Sequence, residues 1–70
     1  MNKIAQTKKL LEWLKAGHSI TPLEALQKFG IMRLSGRIYD LRHMGYKIVT
    51  EWERSENARY ARYWMEVETA

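Results

Sequence analysis

The sequence contains no cysteine in its 70 residues, which excludes a disulfide framework and a thiolate zinc site and leaves packing to hold the fold. No apolar run approaches the roughly 20 residues of a membrane span. The lysines at 3, 8 and 9 lead into no apolar signal segment, so a cytoplasmic protein without a membrane partner is expected. Only two histidines occur, His18 and His43. Neither stands in a pattern with a nucleophile and an orienting carboxylate, and the scattered acids offer no four-ligand metal spacing. A glycine-rich phosphate loop is also missing. Enzyme chemistry, a cofactor, a metal and a small-molecule substrate are therefore not expected; His18 reads as a loop or cap residue.

What is present is enough to fold. The chain is 46% hydrophobic and 29% charged, well away from the low-hydrophobicity, high-charge composition of disordered segments. One domain spanning residues 1–70 is expected, and a domain of this size buries only about 60% of its unfolded surface, so the core must be economical. The formal net charge is +4. Residues 1–30 and 31–50 each carry a surplus of three basic residues, whereas 51–70 carry a surplus of two acidic ones. Positive charge concentrated ahead of the C-terminal segment favours an anionic partner.

Ile4, Leu10, Leu11 and Leu14 recur at helical spacing and predict an amphipathic helix over about 4–16, closed by Gly17. Thr21-Pro22-Leu23-Glu24 is a capping box with proline at the first helical position. It opens a short helix over 22–29 whose predicted apolar face is Leu23, Leu26 and Phe29, with Gly30 as its stop. After a turn about one residue wide, a third helix over about 32–44 carries the stripe Leu34, Ile38 and Leu41 and ends at Gly45. Then the period changes to two. Residues 46–53 alternate and are rich in β-branched and aromatic side chains, 54–58 hold turn formers, and 59–67 alternate again. In the second strand Tyr60, Arg62, Trp64 and Glu66 share one face, while Ala61, Tyr63, Met65 and Val67 read as core.

The resulting α+β order, three helices followed by a two-stranded hairpin, is the layout of a winged helix-turn-helix. The segments Ser19-Ile20-Thr21-Pro22-Leu23-Glu24-Ala25-Leu26, Arg33-Leu34-Ser35-Gly36-Arg37-Ile38-Tyr39-Asp40-Leu41-Arg42 and Gly45-Tyr46-Lys47-Ile48 resemble small helix-turn-helix proteins of bacteriophages and prophages. The resemblance implies a winged-helix fold, transcription regulation through double-stranded DNA, and a bacterial host cytoplasm.

Helical projection of the third helix at ~100° per residue points Leu34, Ile38 and Leu41 inward. Gly36 and His43 lie opposite, with Tyr39 and Asp40 beside them and Arg33 at the outward edge. These five are the candidate base-reading residues. Arg33 leads them, because a guanidinium donates in parallel to guanine O6 and N7 from the end of the helix that enters the major groove. Gly36 costs about 1 kcal/mol relative to alanine and implies close approach either to DNA or to another helix. Tyr39 is placed to meet a phosphate or a thymine methyl, or else belongs partly to the core. Asp40 accepts from cytosine N4, or orients Arg33, Arg37 or another neighbour, or else pairs with Arg37 at i, i+3. Ser35, Arg37 and Arg42 flank the buried stripe as candidate phosphate contacts. Ser19 and Lys28, at the ends of the second helix, and the wing arginines Arg54, Arg59 and Arg62 complete that set. Glu51, Glu53 and Glu56 weigh against a wing on DNA.

A different class of partner remains open at Trp13. It projects away from Ile4, Leu11 and Leu14, where it would either anchor a homodimer or a host protein or pack on the hairpin beside Trp52 or Trp64.

Overall fold

A computed structural model describes residues 3–66. Its elements are α1 (Lys3–Lys15), α2 (Pro22–Phe29), α3 (Leu34–His43), β1 (Ile48–Arg54) and β2 (Arg59–Met65). The strands form an antiparallel hairpin whose register runs from Ile48 opposite Met65 to Arg54 opposite Arg59. The predicted Val67 at the end of the second strand lies outside the described residues.

The capping box forms as its residue types dictate. Thr21 Oγ1 accepts from the Glu24 amide at 3.3 Å, and the Thr21 amide donates to Glu24 Oε1 at 2.9 Å. At the other end of α2, Gly30 adopts φ 67°, which lets its own amide and that of Ile31 turn back on the last carbonyls. A side chain at that φ is strained, so glycine is the residue that can close the helix there. Ile31 then drops into the core instead of starting α3. The turn therefore occupies residues 30–33, longer than expected, and α3 begins at Leu34 with Arg33 as its N-cap.

The core gathers Leu10 and Leu14 from α1, Ala25 from α2, Leu34, Ile38 and Leu41 from α3, and Ile48 from β1, with Ile20 and Ile31 from the connections. Two expected apolar faces differ from this. Ile4 is 80% exposed; it follows the half-buried Leu11 stripe, seven residues away, and not the Leu10–Leu14 stripe that faces the centre. On α2, Leu23 and Leu26 are exposed and Ala25 is the residue fully buried. A methyl side chain at the crossing lets the helix approach closely, and the larger residues on either side are turned outward.

The hairpin is extended on its β2 edge by a short bridge. Ile20 and Tyr63 exchange both backbone hydrogen bonds, at 2.9 and 2.8 Å. That pairing fixes the hairpin to the segment leading into α2. Of the residues predicted as the inner face of β2, Ala61 is buried and Tyr63 and Met65 pack on the core. Tyr46, predicted as strand, precedes β1 and packs on the core beneath the Lys15 ammonium, which lies 5.3 Å from its ring centroid.

Candidate nucleic-acid interface

With Leu34, Ile38 and Leu41 buried, the opposite side of α3 faces solvent. Arg33 and His43 are exposed, Gly36 and Asp40 half-buried, and Tyr39 is 62% exposed, so its ring is no part of the core. The Tyr39 and His43 rings lie against each other with centroids 4.0 Å apart. His43 Nδ1 sits 3.1 Å from the Tyr39 carbonyl oxygen. A carbonyl can only accept, so Nδ1 carries the proton in that contact and Nε2 is left for a ligand. A Cβ added to Gly36 would meet nothing within 4 Å. Close packing against another helix is therefore not the reason for glycine there.

Arg37 and Asp40 form the i, i+3 pair, at 3.5 Å. The Arg37 side chain is mostly buried, and its Nε is enclosed without a hydrogen-bond partner among the described residues. Arg42 is engaged as well. Its Nε and Nη2 donate to the Ile48 carbonyl at 3.2 and 2.6 Å, and Nη2 also donates to Thr50 Oγ1 at 2.9 Å. Arg42, a candidate phosphate contact, forms a strut between α3 and β1 in this structure: the edge strand leaves an unpaired carbonyl within reach, and the guanidinium fork takes it.

Arg62 and Ser19, both candidate phosphate contacts, are bound to each other. Arg62 Nε donates to Glu53 at 2.7 Å, and Nη1 donates to Ser19 Oγ at 3.0 Å and to Glu24 at 3.3 Å. The Glu53 hydrogen bond raises the Arg62 pKa above its ordinary value, against the lowering effect of burial. This cluster joins the hairpin to the N-terminus of α2. Glu24 thus serves both its cap and the hairpin.

The hairpin's charges separate by face. Thr50, Trp52 and Arg54 share one face with Tyr63, Ala61 and Arg59, while Glu51, Glu53 and Arg62 share the other. Arg54 and Arg59 are exposed and directly opposed, and the Arg59 guanidinium lies 4.6 Å from the centroid of the exposed Trp52 ring. Like charges opposed across a ladder repel, and an anion lying between them removes the penalty. The carboxylates at 51 and 53 that weighed against this wing point the other way. Alternation within β1 carries that signal, since 50, 52 and 54 share parity.

Trp13 meets residues at the end of α2 and in the segment that follows α1. Its Nε1 donates to the Ser19 carbonyl at 2.9 Å, His18 stacks on the ring at 4.2 Å, and Phe29 meets it edge-on at 5.9 Å. The Lys28 ammonium lies 5.0 Å from the ring centroid. Trp13 closes the gap between the ends of α1 and α2, with His18 as a loop residue against it. Ser35 is exposed on the first turn of α3.

A family model described as a winged helix-turn-helix domain matches residues 5–68. The chain belongs to that family. No curated protein and no solved structure matches it. In this winged helix-turn-helix domain α2 and α3 are the helix-turn-helix and the β1–β2 hairpin is the wing. The fold expected from the order of elements is the fold present, and membership makes double-stranded DNA the class of partner that the domain suggests. No helix among the described residues is long and apolar enough to cross a membrane.

Proposed function

We propose that the protein is a transcriptional regulator of phage or prophage type that inserts α3 into the major groove of double-stranded DNA. The supporting observation is the outward side of α3: Arg33, Gly36, Tyr39 and His43 lie together there, away from the buried stripe. In this reading Arg33 donates to a guanine edge. Gly36 lets the backbone approach, and Tyr39 and His43 extend the contact toward the C-terminal end of α3. Lys28, Ser35, Arg54 and Arg59 hold phosphates. Ser19, Arg37, Arg42 and Arg62 serve the scaffold, and Asp40 orients Arg37. The phage connection rests on the resemblance of the segments at 19–26, 33–42 and 45–48.

Selection of bound duplexes from a random-sequence pool, followed by titration at graded salt, tests this. Recovery of a defined site, affinity falling steeply with salt, and a loss of roughly 10- to 100-fold on that site for Arg33→Ala support it. A folded protein that binds no duplex even at low salt overturns it.

A further inference from the structure

Between α1 and α3 runs an open groove of about 380 Å³, with Ile4, Lys8 and Leu11 on the α1 bank and Asp40, Leu41 and Met44 on the α3 bank. The α1 residues follow the spacing of one helical stripe, and so do those of α3. Leu11 and Leu41 form the floor, half-buried and buried, while Ile4 is 80% and Met44 62% exposed on the rims. Neither exposed side chain belongs to the core. The DNA-reading surface does not use them either. Two large apolar residues standing over an apolar floor are what a partner surface presents.

The charges on the banks indicate which partner. Lys8 lies on one bank and Asp40 on the other. A partner surface of a single sign would meet a like charge on one side. A second copy related by a two-fold axis along the groove exchanges the banks, so that α1 of each copy lies on α3 of the other. Lys8 then faces Asp40 twice, and the apolar rims enter the facing groove. Such self-complementarity is the requirement of an isologous interface. We infer that the α1–α3 groove is a homodimer interface of this protein. Asp40 already meets Arg37 within α3 at 3.5 Å, and the dimer adds Lys8 of the second copy to that pair. The inference is independent of the DNA reading and is tested without DNA.

Sedimentation of the full chain from roughly micromolar to roughly millimolar concentration should show reversible dimerisation. Lys8→Asp and Asp40→Lys should each weaken self-association about tenfold or more. Because each reversed charge meets its opposite only in the other variant, an equimolar mixture of the two should recover a heterodimer. A pairing within one copy gives no such recovery. Met44→Glu, at an exposed position, should weaken association without loss of helical circular dichroism. A wild-type chain that remains monomeric throughout overturns the inference. So does a mixture no more associated than the separate folded variants, or a folded Met44→Glu variant that dimerises as wild type does.

Discussion

The Arg42 guanidinium of the recognition helix is bonded through two nitrogens to the main-chain carbonyl of Ile48 at the base of the wing. The two parts of the molecule that would meet DNA are thereby held in one relation by an arginine whose place beside the buried stripe makes it a candidate phosphate contact. Hydrogen bonds from a charged group contribute about 1.5–3 kcal/mol, enough to matter in a small domain.

Arg42→Ala is expected to lower stability by about 1–2 kcal/mol in urea denaturation, while the salt dependence of DNA binding keeps its slope. A phosphate ligand behaves otherwise: its loss reduces the slope by about 0.9. An unchanged denaturation midpoint together with a shallower slope would return Arg42 to the phosphates.

The opposed pair at the wing tip predicts the reverse pattern. Arg54→Ala removes a like-charge contact and should leave the free protein at least as stable as wild type, whereas Arg59→Ala removes that contact together with the one to the Trp52 ring. Each should also reduce the salt slope of duplex binding by about 0.9. Salt titrations of the two variants beside wild type provide the check, and unaltered slopes would take the wing off DNA.

Gly36 separates fold from binding in a single substitution. Alanine meets no neighbour there and is the better helix former, so Gly36→Ala should raise stability by about 0.5–1 kcal/mol. If the backbone approaches DNA at this point, the same variant should bind the selected duplex less well. A gain in stability with unchanged affinity would assign the glycine no part in binding.

The contact of His43 with the Tyr39 carbonyl fixes a tautomer. Nitrogen NMR of the neutral ring should find the proton on Nδ1, with Nε2 as the free acceptor. In the Tyr39→Phe variant, which keeps the carbonyl and the aromatic stack, the tautomer should persist. A proton on Nε2 in the neutral ring would show that the contact does not form in solution.

The residues that the sequence placed correctly are those whose signals act over a few positions. The capping box needs only Thr21 and Glu24, the close of α2 needs only a glycine free to adopt positive φ, and the Leu34–Ile38–Leu41 stripe declares its buried side by spacing alone. From these follow three helices and a hairpin, and the outward side of α3 with Arg33, Gly36, Tyr39 and His43 on it. The partners that Arg42 and Arg62 take depend on how the elements come together. Arg62 meets Ser19 across 43 positions and Glu24 across 38, and Arg42 finds Ile48 only because the edge of β1 passes the end of α3. The same holds for Trp13, enclosed where α1 and α2 converge, and for Ala25, buried in place of Leu23 and Leu26. Periodicity finds an apolar stripe, but the distance at which two helices cross selects the side chains that fit between them. The charge pattern likewise counts twelve basic residues, and only the folded chain shows Arg42 and Arg62 engaged with its own groups while Arg54 and Arg59 stand exposed.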